Sequence, residues 1–209
     1  MLFTNNEIVF LTSVSKGSRP FGIHYRMPKE GEKETFIEEA IQSLIRKGIL
    51  NEERKLTEEG AAIVRFFELY RSCHRYITIN RVKAAVLENG KLITVCKEKD
   101  CYEMCCTDSA ALMLALLKQS KFLCSGEEKA ERGKWYGIMP QEWQQIMGEM
   151  EGCIPVCEYE NARLTGRKLF YWKGGEGYLL NPERMRVRRL SPSYMRRQLY
   201  TILGGKEDE

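Results

Sequence analysis

Eight cysteines, two histidines and a cluster of arginines are the side chains in this sequence that could bind a metal, act as nucleophiles or hold an anion. Spacing decides among these. Cys101 with Cys105, and Cys153 with Cys157, are separated by three residues, as zinc ligands can be, but no CxxC occurs and His24 and His74 lie far from both pairs. In a reducing compartment free cysteines behave as small apolar side chains, so these residues, with Cys73, Cys96, Cys106 and Cys124, read as structural thiols. No metal site is expected. Cys73 and His74 are neighbours in the chain, which points them in different directions and denies them the geometry of a thiol and its base. Gly174, Gly175 and Gly177 are placed as a turn between strands, not as a phosphate loop opening a helix. Acid pairs such as Glu38-Glu39 and Glu58-Glu59 fall on exposed helical faces, and two histidines supply little general-base capacity near neutral pH. These residues describe no enzyme and require no cofactor.

The arginines carry more. Residues 161–200 hold ten basic and two acidic side chains, while residues 1–160 hold 22 basic and 24 acidic ones. Arg184, Arg186, Arg188 and Arg189 flank Met185, Val187 and Leu190, and strand alternation would put Arg184, Arg186 and Arg188 on one face. Such a cluster offers guanidinium forks for phosphate or carboxylate, or else forms the solvated face of a strand guarding a sheet edge. Upstream, Trp135, Tyr136, Ile138, Met139, Met147 and Met150 combine rings with flexible thioethers, a composition suited to a partner-binding surface and equally to the rim of a core.

Positioning these residues requires a particular set of elements. A helix is predicted from about Asn5 to Ser15 with Thr4, Asn5 and Asn6 as caps, followed by an extended segment from Pro20 to Met27. Phe36, Ile37, Ala40, Ile41, Leu44 and Ile45 recur at helical spacing over Glu34 to Lys47, with Gly48 as the stop. Thr57 caps a third helix carrying Ile63, Phe66, Phe67 and Tyr70 inward. From Tyr76 the period changes to two: Tyr76 to Asn80, Val82 to Leu87, an Asn89-Gly90 turn, Leu92 to Cys96, and Tyr102 to Cys106. The helix predicted over Ser109 to Gln119 has almost no polar side and so is expected to be buried. Ser125 to Gly133 reads as a loop. Pro140 opens a helix to about Met150 with Trp143, Ile146, Met147 and Met150 on one side. Strands return at Ile154 to Tyr159, Arg163 to Trp172, Gly177 to Leu180 and Met185 to Leu190, and a Ser191-Pro192 start leads a final helix to Leu203.

Helix, antiparallel strands and helix therefore occur in that order twice. The expected fold class is α+β, a quasi-twofold body with antiparallel sheets from each half, preceded by an N-terminal helical, winged-helix-like segment. A single domain is expected over 1–209, with an N-terminal helical segment (1–75), a first sheet-helix half (76–133) and a second helix-sheet-helix half (134–209). The longest nearly uninterrupted apolar run, Ala110 to Leu117, falls far short of the roughly twenty residues of a helical membrane span. Met1 to Ile8 has no export-leader pattern, which makes the cytoplasm the expected location.

Phe36 to Gly60, FIEEAIQSLIRKGILNEERKLTEEG, resembles winged-helix transcription factors, which would send the Glu34 to Lys47 helix into a major groove. Glu34, Glu38 and Glu39 oppose phosphate approach on that helix, so this DNA-binding regulator is the alternative reading and nucleic acid is not the expected partner. The same stretch also resembles the EspG-type ESX secretion-associated proteins and their Firmicutes relatives in type VII secretion loci. That likeness runs over nearly the whole chain: a short opening helix with Glu7 and Leu11, the segment Arg19-Pro20-Phe21-Gly22-Ile23 to Met27-Pro28, "LIRKGIL" from Leu44 to Leu50, a "KLTEEG" helix, and a sheet opened by Tyr76 to Asn80. The resemblance implies a cytosolic, non-enzymatic specificity chaperone that holds a helical secretion substrate soluble for export, the substrate being an LXG-type toxin or a small WXG-like helical protein. On that reading Trp135, Tyr136 and Met139 are apolar anchors for the partner, and Arg184, Arg186 and Arg188 select its charge.

Overall fold

Thr4 ends a three-residue strand, β1 (Leu2–Thr4), too short to be legible from alternation, and caps helix α1 (Asn5–Val14). Its hydroxyl accepts from the Glu7 N–H at 3.3 Å, while the Glu7 carboxylate accepts from the Thr4 N–H at 2.7 Å. The computed structural model describes residues 1–15, 19–125 and 131–205. Helix α2 (Lys33–Arg46) ends where Gly48 takes φ +71°, a left-handed conformation that glycine adopts without a side-chain clash. Helix α3 (Glu58–Ser72) starts from Thr57, whose hydroxyl accepts from the Gly60 N–H at 2.9 Å. Glycine is required at 60 because a Cβ there would stand 2.0 Å from the Ile49 carbonyl oxygen.

Strands β2 (Arg75–Ile79), β3 (Val82–Val86), β4 (Lys91–Glu98) and β5 (Cys101–Asp108) follow, then helices α4 (Ser109–Gln119) and α5 (Lys121–Cys124). Asn89-Gly90 does lie between β3 and β4, within a 3₁₀ turn spanning Glu88–Gly90, and the Leu87 N–H donates to the Lys91 carbonyl across it. The remaining elements are β6 (Tyr136–Gly137), α6 (Pro140–Glu149), β7 (Gly152–Glu160), β8 (Arg163–Lys173), β9 (Glu176–Asn181), β10 (Arg186–Leu190) and α7 (Pro192–Ile202). The expected Ser125 to Gly133 loop lies partly outside the described residues.

The fold is α+β, with helices at the N-terminus and an antiparallel sheet. Hydrogen-bonded neighbours run β1-β5-β4-β3-β2-β7-β8-β9-β10-β6. The two consecutive sets, β2 to β5 and β7 to β10, meet through β2 and β7, with Thr78 opposite Cys157. Each set is closed by a short strand that precedes a capped helix, β1 before α1 and β6 before α6, so the order is unchanged when the halves are exchanged. Only the first half carries an insertion of α2 and α3; between α6 and β7 the chain needs just Met150 and Glu151.

Two compact units are formed, one from Met1–Cys73 with Thr94–Cys105 and one from His74–Ile93 with Cys106–Glu209. In the first, Phe3, Ile8, Leu11, Leu44, Phe67 and Tyr70 are buried. Fully buried Glu7 meets Lys47 Nζ at 2.6 Å, which ties the start of α1 to the end of α2. The irregular stretch after α1 is fixed by two tyrosines: Tyr70 donates to the Phe21 carbonyl and Tyr102 to the His24 carbonyl, both at 2.8 Å. In the second unit, Met113, Leu116, Phe122, Met195 and Leu199 pack with Ile77, Ile154, Phe170 and Leu190 on one sheet face. Ile138 and Ile146 pack with Tyr171, Leu180 and Val187 as a separate cluster.

Two expectations from the sequence are corrected. Helix α4 is not buried all round: Ser109, Met113 and Leu116 are buried, but Leu114 is 53 % exposed, because the helix contributes one stripe to the core and turns its other stripe to solvent. The cysteines are not core residues either, since none of the eight is buried. Alternation explains several of them, placing Tyr102 and Met104 inward on β5 and Ile154 and Val156 inward on β7, and leaving Cys101, Cys105, Cys153 and Cys157 on the opposite sides.

Candidate functional site

Strand β10 is the element around which the sequence-predicted residues assemble. It is not a sheet edge, because β6 pairs with its outer side, Tyr136 opposite Val187 and Gly137 opposite Arg186. The chain just before β6 follows the same strand: Arg132 bridges Leu190, the Gly133 N–H donates to the Arg189 carbonyl at 2.8 Å, and the Ser191 N–H donates to the Glu131 carbonyl at 2.9 Å. Between these pairings Gly133, Lys134 and Trp135 oppose only Arg188 and Arg189. That extra residue is a β-bulge, and bulges re-aim side chains. Here the Trp135 ring comes to lie over the Arg188 guanidinium, 4.7 Å from its centre.

Arg188 is also 5.7 Å from the Tyr194 ring centre on α7, so two aromatic rings flank one guanidinium. Its Nε is buried without a hydrogen-bond partner, and burial pulls its pKa below the usual arginine value. Arg186, by contrast, is exposed. Arg184 is not on the strand: it sits in the turn before it, where its N–H donates to Asn181 Oδ1 at 3.0 Å, and Met185 at φ +46° separates it from β10. Trp135 is 42 % exposed, Tyr136 48 % and Met139 62 %. Met139 caps α6, its N–H donating to the Glu142 carboxylate, and the Ile138 N–H donates to the Met185 carbonyl at 3.0 Å. The strand pairing therefore sets Trp135, Arg188 and Arg186 on the sheet face that carries α7, while Tyr136, opposite Val187, turns to the other face, towards Tyr171; Met139 follows β6 and Arg184 lies in the turn preceding β10.

On the Tyr136 side of the sheet Tyr171 lies fully buried, stacked on Tyr178 at 5.2 Å between ring centres and meeting the Trp143 ring edge-on at 6.3 Å. Burial raises the pKa of the Tyr171 phenol far above its ordinary value, and raises that of Tyr136 as well. The Tyr178 phenol is pushed up to about 12, mainly by burial and then by its hydrogen bond to Glu176. These phenols stay neutral across the physiological range; Tyr178 donates to the Glu176 carboxylate, whereas the Tyr171 hydroxyl is buried without a hydrogen-bond partner among the described residues and its ring serves packing. Neither histidine joins them: the His24 N–H donates to Tyr102 Oη, and His74 Nδ1 is 2.9 Å from Asn161 Oδ1. Among the described residues no group of three or more His, Cys, Asp or Glu side chains is arranged to hold a metal.

Sequence reasoning missed Tyr194, Arg132 and the Arg189–Glu176 ion pair at 2.8 Å. Tyr194 follows the Ser191 cap with no signal of which strand it would face, and Arg132 fell in a stretch with no period. Beside them, Glu131, Arg132, Glu176, Arg189 and Ser191 line a cavity of about 400 Å³ whose charges are of both signs. In the first unit, the groove along α2 is lined by Glu34, Glu38 and Glu39 against Arg46 alone, an acidic balance unfavourable for nucleic-acid phosphates.

The fold is similar to that of the Mycobacterium tuberculosis type VII secretion system chaperone EspG5, whose structure was solved in complex with a PE25–PPE41 dimer. The TM-score is 0.56 and the identity 8 %, over 98 % of this chain and 94 % of that one. Comparison with curated proteins finds no significant match. No helix among the described residues is long and apolar enough to cross a membrane. Residues 1–208 match one family from end to end, and the chain belongs to it: the family described as domain of unknown function DUF5081.

Proposed function

We propose that this protein is a cytosolic specificity chaperone or adaptor that binds a helical substrate of a type VII-like secretion system and keeps it soluble for export. It is a Firmicutes relative of the EspG-type proteins, acts as a single domain without enzymatic activity, and takes an LXG-type toxin or a WXG-like helical protein as partner. The observation that carries this reading is the likeness in fold to a type VII secretion chaperone along almost the entire length of both chains. The surface is compatible with it. Trp135, Tyr136 and Met139 offer exposed apolar area in one stretch of chain, and Arg184 and Arg186 supply unburied positive charge next to it.

The test begins with purification of the tagged protein from its native host, identification of the co-purifying proteins, and reconstitution with the purified candidate. A helical exported protein that precipitates alone, stays soluble in a stoichiometric complex and is released by Met139→Asp is the expected outcome. Recovery of DNA alone, or a partner whose solubility and binding are indifferent to this chain and to that substitution, would overturn the reading.

A further inference from the structure

Arg132 and Arg188 converge on one tyrosine. The Arg132 guanidinium carbon is 6.0 Å from the Tyr194 ring centre and its Nη1 donates to the Tyr194 hydroxyl at 3.3 Å; the Arg188 carbon is 5.7 Å from the same ring. Among the described residues Arg54, Arg75 and Arg189 have carboxylate partners, and Arg132 and Arg188 have none. Two like charges beside one hydroxyl repel each other, and Arg188 is also partly stripped of water by the Trp135 and Tyr194 rings, with its Nε buried and unpaired. An exposed arginine alone in solvent needs no partner. A half-buried one with a second guanidinium beside it is stabilised by an oxyanion that accepts from both forks.

We propose that Arg132, Arg188 and Tyr194 form a clamp for a carboxylate of the partner protein, with Trp135 holding the Arg188 fork in place. The proposal rests on the partner-binding reading of this surface and assigns its charge selection differently from the sequence. The specific contact is made by Arg132 and Arg188 with Tyr194, two of which the arginine run did not reveal, while Arg184 and Arg186 act through their general field. The Tyr194 hydroxyl, accepting from Arg132, keeps its own proton to donate to the incoming carboxylate. The partner is therefore an acidic protein segment.

The experiment uses the full chain labelled with ¹⁵N, reading the arginine Nε–H signals, with that of Arg188 identified by its loss in Arg188→Lys. The probes are a blocked tetraglutamate peptide, a blocked tetralysine peptide and inorganic phosphate. Tetraglutamate should shift the Arg188 and Arg132 signals saturably, with affinity about five-fold or more weaker in Arg132→Gln and in Tyr194→Phe, and tetralysine should leave them unmoved. No shift at about 20 mM tetraglutamate, or one unaltered in Arg132→Gln, overturns the clamp. So does saturation by phosphate with no response to tetraglutamate. With the reconstituted partner, binding unchanged in Arg132→Gln but lost in Met139→Asp defeats the clamp and leaves the surface reading intact, whereas binding unchanged in both defeats both.

Discussion

Glu7 and Lys47 illustrate how unequal the two ends of one ion pair can be. The Glu7 side chain is fully buried, while Lys47 keeps 29 % of its own exposed and also donates to the Leu2 carbonyl at 2.7 Å. Removing the lysine strands a carboxylate without water; removing the acid leaves an ammonium that can still reach solvent. Lys47→Met is expected to destabilise the protein by about 3 kcal/mol and Glu7→Gln by clearly less, a ranking that urea unfolding of the two variants checks. The tyrosines on the Tyr136 side of the sheet make a pH prediction. Because the folded-state pKa of Tyr178 is raised above the ordinary value of 10 to about 12, the stability it contributes is fully present below pH 10 and is lost as pH rises through 12. Tyr171 is shifted in the same direction by burial. Tyrosinate absorbance should therefore lag behind that of free tyrosine until the protein unfolds, and Tyr178→Phe should flatten the loss of stability between pH 10 and pH 12.

Helix α4 and the edge formed by β6 show how elements place their residues. The apolar sequence of α4 predicted complete burial, yet Leu116 is 5 % exposed and Leu114 53 %. Leu116→Ala should cost about 3 kcal/mol, the range for emptying a packed site, and Leu114→Lys no more than about 0.5 kcal/mol, as judged by the shift in denaturation midpoint. At the edge, β6 contributes only Tyr136 and Gly137 to the ladder, so its attachment depends on what surrounds it. The Trp135–Arg188 contact is one such attachment, worth about 1 kcal/mol. Trp135→Ala should accordingly speed amide exchange at Tyr136 and Ile138, whose N–H groups face β10, while exchange in β8 and β9 stays unchanged.

For the molecule as a whole, the net charge of +4 is an average over a nearly balanced first 160 residues and a strongly basic stretch from 161 to 200. An acidic partner would be steered to that region over distances comparable to the Debye length, about 10 Å in 0.1 M salt. Association of the reconstituted complex should therefore slow steeply with added salt while dissociation changes much less, a pattern that stopped-flow measurement separates. At a partner concentration of about 100 times Kd, the folded chain should gain about 2.7 kcal/mol, visible as a rise in Tm. The same experiments distinguish a DNA-binding regulator, which would give salt-sensitive binding to duplex DNA and no stabilisation by a protein.

The helices were legible because caps and apolar period agree: Thr57, Asp108 and Ser191 each accept a backbone N–H at the predicted start. Strands β2 to β5 and β7 to β10 were legible from their period of two, and so was the repeated order of helix, strands and helix, whereas β1 and β6 are too short to show a period. These are properties of neighbouring residues, and neighbours are what a sequence displays. The site was legible only in part. Trp135, Tyr136 and Met139 could be singled out by type, but the bulge that lays Trp135 over Arg188, the joining of the two strand sets through β2 and β7, the exposed side of α4 and the outward placement of the cysteines were not. Each depends on which distant segment packs alongside: alternation says that two faces differ, not which one will be covered. Arg132 and Tyr194 meet across 62 positions of sequence, and only the pairing of the 131–137 segment with β10 and the packing of α7 bring their side chains together.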